Sequence, residues 1–200
     1  MNYHKLNGIK KPVFTVTDAA AAMGISYSSA KVTLCRYAGK GLVTRVKKNL
    51  YVFPGRWNGL TPAELFPVAN LIEVPSYISF TTALAYYDIS TQVQRDFFES
   101  ASVKRTKEAV AEGNTFVYSK LSRKLYGGFV KKDGFFIAYP EKALLDSFYL
   151  FSLGRYNLDV DALDLSKIDS ARAAGFLKLY PEKTAQMWRK YVGPVKTRKT

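Results

Sequence analysis

The sequence is short of cysteine and histidine, with one residue of each among 200. A single thiol cannot form an internal disulfide, so the chain fits a reducing compartment. No apolar run approaches the roughly 18 residues that a membrane-crossing helix needs, and the first residues lack the apolar core of a signal peptide. We therefore expect a cytoplasmic protein with no membrane partner.

Common catalytic motifs are lacking too, among them the phosphate loop Gly-x-x-x-x-Gly-Lys-Ser/Thr, His-Glu-x-x-His, Cys-x-x-Cys and Gly-x-Ser-x-Gly. His4 alone cannot support a catalytic triad or a histidine-bound metal site. One alternative is a nuclease that binds metal through carboxylates, because Glu141, Lys142 and Asp146 lie close together on a predicted helix. The same residues suit a helix N-terminus and a solvated or locally paired carboxylate. We expect no enzyme activity, no cofactor and no metal.

Acidic residues are few, 16 against 30 lysines and arginines, which gives a formal net charge of +14. The excess is uneven: residues 1–60 hold ten basic residues and one acid, and the other 140 hold 20 basic and 15 acidic residues. Such an excess favours a polyanionic partner, nucleic acid before an anionic membrane surface, although a basic protein can simply be soluble. We expect nucleic acid to bind the first 60 residues.

Two helices are predicted in this basic region. Thr17 is expected to cap a short helix over residues 18–23 that Gly24 ends. Ser26 or Ser28 is expected to cap a second helix that runs to about Ala38 and has a polar opposite face. The predicted buried stripe of this second helix consists of Ala30, Leu34 and Tyr37.

A basic hairpin follows, with strands predicted over residues 42–46 and 50–53 and a turn between them. Helix, turn, helix and hairpin together predict a winged helix-turn-helix, whose second helix fits the major groove of double-stranded DNA and whose wing reaches the backbone or the minor groove. Arg36 is the candidate to bind a guanine and Val32 to contact a thymine methyl. The alternative is a winged helix that serves as a protein-binding scaffold. The predicted DNA-binding residues are Tyr27, Ser28, Ser29, Lys31, Val32 and Arg36 on the helix, and Arg45, Lys47, Lys48 and Asn49 on the wing.

Cys35 falls on the same polar helix face. A redox-sensing thiol and a small side chain that is merely tolerated there are both consistent with the sequence.

The remainder of the chain predicts a mixed α+β domain. The order Thr61-Pro62-Ala63-Glu64 starts a helix, which Pro67 is expected to kink or split. Asp133-Gly134 predicts a tight hairpin. Further helices are predicted over residues 79–87 and 141–151 and after Asp169 and Pro181, and strands over residues 97–103, 115–121, 129–130 and 135–138. Because residues 57–59 look turn-like, we predict an α+β protein with a winged helix-turn-helix over residues 1–58 and a mixed α+β domain over residues 59–200.

Three segments together resemble the AbiEi antitoxins of bacterial type IV toxin–antitoxin and abortive-infection systems. The first is the winged helix that ends in the wing from Gly41-Leu42-Val43 to Leu50-Tyr51-Val52, in which Lys48-Asn49-Leu50 stands where an Arg-Gly pair is commoner in the family. The second is Pro75-Ser76-Tyr77-Ile78-Ser79 followed by Ala83-Leu84-x-Tyr86-Tyr87, and the third is Ala138-x-Pro140-Glu141-Lys142-Ala143-Leu144-Leu145-Asp146. The resemblance covers roughly residues 10–190.

This resemblance implies a regulator with two roles in antiviral defence. Its N-terminal domain would repress its own operon by binding inverted repeats, and its C-terminal domain would support antitoxin function against a nucleotidyltransferase-like toxin. The alternative is a stand-alone winged-helix regulator that has no toxin.

Overall fold

The computed structural model describes residues 3–57, 59–92 and 94–194, and it confirms a mixed α+β fold. Asn58, at the predicted domain boundary, lies outside the described residues, and the boundary itself stays a prediction. The helices are α1 (Tyr3–Leu6), α2 (Val16–Met23), α3 (Tyr27–Gly39), α4 (Pro54–Trp57), α5 (Pro62–Ile72), α6 (Phe80–Tyr86), α7 (Pro140–Ser152), α8 (Ser170–Leu177) and α9 (Glu182–Tyr191). The strands are β1 (Val13–Phe14), β2 (Thr44–Lys47), β3 (Leu50–Val52), β4 (Ser76–Ile78), β5 (Phe97–Ser102), β6 (Lys107–Ala111), β7 (Asn114–Lys120), β8 (Phe129–Lys132) and β9 (Phe135–Ala138).

Helix α2 begins two residues earlier than predicted. Thr15 is its N-cap: the Thr15 hydroxyl accepts the Asp18 N–H at 3.2 Å, and the Asp18 carboxylate accepts the Thr15 N–H at 2.8 Å. The prediction of Thr17 as the cap was wrong, because a capping box needs an acid or amide three residues after the cap, and Thr15 has one. Gly24 ends α2 in the left-handed conformation (φ 68°), as predicted.

The wing forms a three-stranded sheet in the order β1-β3-β2. Both predicted wing strands are present: β2 begins two residues later and ends one residue later than predicted, and β3 ends one residue earlier. The two-residue β1 was not predicted. Strand β3 is buried on both faces because its side chains alternate between two hydrophobic cores. Tyr51 packs in the core of the helix-turn-helix, while Leu50 and Val52 pack in the core of the C-terminal part.

The C-terminal part is built on a six-stranded sheet in the order β6-β7-β5-β4-β9-β8. The pairs β5–β7 and β4–β9 are parallel, and the other pairs are antiparallel. Helix α5 packs against β4, β5 and β9, and α7 packs against α6, α8 and α9. The predicted Asp133-Gly134 hairpin is confirmed, with φ of 48° and 88° at these two residues. Strands β4 and β6 were not predicted.

Helix α5 runs unbroken through Pro67, so this proline does not split the helix. The prediction that Trp57 lies in a turn was wrong. Trp57 ends helix α4 instead of lying in a turn, and its indole ring packs edge-on against Phe116 with ring centroids 6.3 Å apart. Trp57 therefore belongs to the core that the two parts of the chain share.

A buried polar network joins α7 to β4 and to the segment before α9. The Asp146 carboxylate accepts hydrogen bonds from the hydroxyls of Tyr77 (3.0 Å), Ser79 (2.8 Å) and Tyr180 (2.6 Å). It also forms an ion pair with Lys142, whose ammonium donates to Tyr77 at 2.8 Å. Lys142 and Asp146 are only 1% and 0% exposed. The suggestion that Asp146 is solvated was wrong, and the alternative of local pairing is confirmed.

We predict that Lys142→Met destabilises the protein by about 3–5 kcal/mol, because it leaves the buried Asp146 charge without its counter-ion. The free energy of unfolding from urea titration measures this loss. As a control, Lys183→Met removes an exposed lysine of α9 and should change stability by less than about 0.5 kcal/mol. Equal stability of the two variants would contradict the assigned role of the ion pair.

Candidate nucleic-acid interface

The predicted contact residues of α3 lie on its exposed side. Ser26 caps the helix by accepting the Ser29 N–H at 3.2 Å, which confirms one of the two predicted caps. Two large apolar side chains project into solvent at this end, Tyr27 at 50% and Val32 at 58% exposure. The whole predicted set on the helix, Tyr27, Ser28, Ser29, Lys31, Val32 and Arg36, is exposed, and so is Cys35.

The opposite side of α3 fixes this orientation. Ala30, Leu34 and Tyr37 are buried as predicted, and they pack in one cluster with Ala19 and Met23 of α2. Because these residues recur every three or four positions, their burial turns the intervening polar residues outward.

The four wing residues have different surroundings. Arg45 and Lys48 are exposed, and the Arg45 Nε donates to the Lys47 carbonyl at 3.4 Å. Lys47 has an exposed side chain that nevertheless lies close to the C-terminal part: partial burial lowers its pKa, the charge of Glu73 opposes this shift, and the nearby Lys107 and Lys104 add to it. Lys47 thus has charged neighbours in the C-terminal part of the chain.

Asn49, at the wing turn, is exposed and has a side chain already engaged within the protein. Its carboxamide oxygen accepts the Val16 N–H at 3.1 Å. The structure therefore supplies a second role for a residue that the sequence predicted as a DNA contact.

An ion cluster beside the wing was missed by sequence reasoning. Glu73, 6% exposed, forms a salt bridge with Lys104 at 2.9 Å and a second with Lys107. Burial alone would raise the pKa of Glu73, but hydrogen bonds from Lys107 and Lys104 lower it below its ordinary value. The cluster stands next to the wing because β6 packs against β2. No local pattern could predict that contact, since the two strands are distant in sequence.

The carboxylates of the nuclease alternative are directed into the protein. Both oxygens of Asp146 accept hydrogen bonds within the buried network. Glu141 is 2% exposed; one of its oxygens accepts the Asp169 N–H at 3.1 Å and the other lies 3.8 Å from Arg172. In the part of the chain that the structure describes, no three His, Cys, Asp or Glu residues are grouped so that they could hold a metal ion. Helix α7 thus offers no open carboxylate pair.

Within residues 3–57, 59–92 and 94–194, no helix has both the length and the apolar character needed to cross a bilayer.

Comparison with known protein families gives a match for the N-terminal segment. A winged helix-turn-helix is the class that α2, α3 and the wing define, and the family model for AbiEi antitoxins, described as transcriptional regulators, matches residues 5–54. The match spans both helices and the complete wing, and it confirms the predicted resemblance over this quarter of the chain. A search of curated proteins found no match.

We predict that Glu73→Gln weakens the ion cluster and lowers stability at neutral pH by on the order of 1 kcal/mol, since both lysines are partly solvated. The pKa of Glu73 is depressed in the folded state, so its contribution is present above the ordinary pKa of 4.5 and is lost as the pH falls through the folded value. Unfolding titrations at neutral and acidic pH should therefore show the difference from wild type shrinking in acid. Glu108→Gln, at an exposed position of the same strand β6, is the matched control. A Glu73→Gln deficit that stays constant from pH 7 to below pH 4 would contradict this role of the charge.

Proposed function

We propose that this chain is a sequence-specific repressor of transcription that binds double-stranded DNA and regulates its own operon as the antitoxin of a type IV toxin–antitoxin system. The observation that carries the proposal is the match of residues 5–54 to AbiEi regulators, over a helix-turn-helix whose α3 face is exposed. The charge supports it, because ten of the first 60 residues are basic and one is acidic.

Helix α3 is the proposed reader of base sequence. An α-helix about 10–12 Å across fits the major groove, which is about 12 Å wide. Arg36 carries two parallel donors that match the O6 and N7 acceptors of guanine, and the exposed Val32 side chain suits a thymine methyl. Lys31 and the hydroxyls of Ser28 and Ser29 complete this face.

The wing is proposed to hold the DNA backbone. Arg45 and Lys48 are exposed cations that can neutralise phosphates, and such contacts supply affinity without sequence preference. Lys47 lies near Glu73, Lys104 and Lys107, so its share in phosphate binding should be smaller than that of Lys48.

The antitoxin role is proposed for the C-terminal part, with a nucleotidyltransferase-like toxin as the protein that it counteracts. The operator would consist of inverted repeats, and the protein would act in the cytoplasm, where bacterial DNA lies. A stand-alone regulator without a toxin is the alternative. A nucleotidyltransferase-like reading frame beside this gene would favour the antitoxin role, and an isolated gene would favour the alternative.

We predict that Arg36→Ala and Lys48→Ala impair DNA binding in different ways. Arg36→Ala should cost about 1–3 kcal/mol on the operator and relax the preference at one base pair. Lys48→Ala should weaken binding to operator and random duplexes alike and reduce the salt slope by about one.

The wild type itself should bind DNA in a salt-dependent way. With about five phosphate contacts, the logarithm of its affinity should fall against the logarithm of the salt concentration with a slope of about −4.5. Titration of labelled duplexes at several salt concentrations measures all of these quantities.

The control is Lys178→Ala, which removes an exposed cation at the end of α8. Equal losses on operator and random DNA for Arg36→Ala would refute its role as a base reader. Binding of the wild type that does not depend on salt, or that prefers single strands, would refute the proposed interface.

We also predict that repression and antitoxin activity can be separated. A full-length variant with Lys31, Arg36, Lys47 and Lys48 all changed to alanine should lose repression but still protect cells from the neighbouring toxin. All four side chains are exposed, so the fold should survive, which circular dichroism checks. Variant and toxin are expressed from unrelated promoters, so that repression of the toxin gene cannot be mistaken for protection.

Leu144→Asp is the opposite variant in this experiment. It places a charge at a fully buried position of α7, at a cost of several kcal/mol, and protection should disappear. If the folded variant that cannot bind DNA also fails to protect, the antitoxin effect depends on DNA and the proposed division is wrong.

A further inference from the structure

The wing turn requires a residue that tolerates the left-handed conformation. Asn49 has φ of 65°, in the region that favours glycine. Among other residues, asparagine adopts this region most readily, because its short side chain can hydrogen-bond locally. Asn49 thus adopts the positive φ that the turn requires, and unlike glycine it also has a side chain that can form a hydrogen bond.

That side chain binds the start of α2. The Asn49 carboxamide oxygen accepts the N–H of Val16, the first residue of the helix, at 3.1 Å. The first N–H groups of a helix have no partner within the helix. Thr15 satisfies the N–H of Asp18, and Asn49 satisfies that of Val16.

This hydrogen bond begins where the β1–β3 ladder ends. Phe14 pairs with Tyr51 in that antiparallel ladder, so the register extended by two residues would place Val16 opposite Asn49. Backbone pairing stops because the chain turns into α2, and a side-chain oxygen takes the place of a strand carbonyl. The wing turn is thereby tied to α2, which packs against α3.

We infer that Asn49 is a positioning residue and not a direct DNA contact: it fixes the wing turn, and with it Lys48, relative to the helix-turn-helix. The inference rests on the proposed DNA binding for its functional consequence. The hydrogen bond from Val16 to Asn49 lies within the protein, so its presence can be tested in the absence of DNA.

The first test compares two full-length variants in the absence of DNA. Asn49→Gly keeps the freedom to adopt positive φ and removes the acceptor, whereas Asn49→Asp keeps a side-chain oxygen that can accept from a helix N-terminus. Amide hydrogen exchange of Val16, followed by NMR, should become about fivefold faster in Asn49→Gly, as expected for the loss of one hydrogen bond. It should return to the wild-type rate in Asn49→Asp. An unchanged rate in Asn49→Gly overturns the inference.

The second test asks whether Asn49 acts through Lys48. Duplex affinity is measured for wild type, Asn49→Gly, Lys48→Ala and the double variant. Asn49→Gly should weaken binding in the wild-type background and have no further effect in the Lys48→Ala background, because a residue that positions another loses its effect when that other is removed.

Additive losses would identify Asn49 as a DNA contact, and an unchanged affinity of Asn49→Gly would show that the tie has no role in binding; either result overturns the inference. Failure of the proposed function looks different, since wild type itself would then show no salt-dependent duplex binding. In that case the exchange rates of Val16 alone decide whether Asn49 holds the turn.

Discussion

The burial of β3 on both faces is the constraint on which the arrangement of this molecule depends. Successive side chains of a strand point to opposite sides, and here Tyr51 enters the helix-turn-helix core while Leu50 and Val52 enter the core of the C-terminal part. The wing sheet is thus a layer between two cores and not a hairpin that projects freely. A strand buried on both faces cannot slip by one residue without exchanging its two sets of apolar side chains. The wing and the C-terminal sheet are therefore held in a fixed relation by packing, in addition to the chain that connects them.

The buried network around Asp146 joins the two C-terminal segments for which a resemblance to AbiEi antitoxins was predicted. Tyr77 and Ser79 come from one such segment, Lys142 and Asp146 from the other, and all four side chains meet in the interior. A buried ion pair is weak evidence for stability, but it requires a defined geometry, because each charge must keep its partners. The residues that carry this predicted resemblance therefore include those that bond α7 to β4 and to Ser79 just after it. These residues are part of a core, and the surface that would act against a toxin has to be found by the separation of functions proposed above.

Local signals predicted much of this fold, and contacts between distant segments account for what was missed. The buried stripe of α3, the Thr61 cap and the Asp133-Gly134 hairpin were correct because each depends on residues within a few positions. The prediction of Thr17 as the cap was wrong, and strand β1 just before α2 was not predicted, since a two-residue strand is stabilised by its pairing with the distant β3. Exposure of the candidate contact residues on α3 followed from its periodicity. The proximity of Lys47 to Glu73 and the bond from Asn49 to Val16 did not, since neither pair is close in sequence.

The two proposed contact elements, α3 and the wing, differ in the chemistry of their exposed side chains and in the contacts that hold them in the fold. The exposed face of α3 combines hydroxyls and apolar side chains with Lys31 and Arg36, a mixture suited to base edges, whereas the wing presents mainly cations, which suit phosphates. Reading bases requires that the helix stay in register with the backbone contacts. In this protein α3 is fixed through α2, and the wing is fixed through β3 and through the Asn49 side chain at the start of α2. Both elements are thus held by the core of the helix-turn-helix, and in the proposed complex the distance between a phosphate at the wing and a base pair at α3 would be set before DNA binds. Sequence preference would then require little ordering of the protein, because the proposed contact surface is already formed.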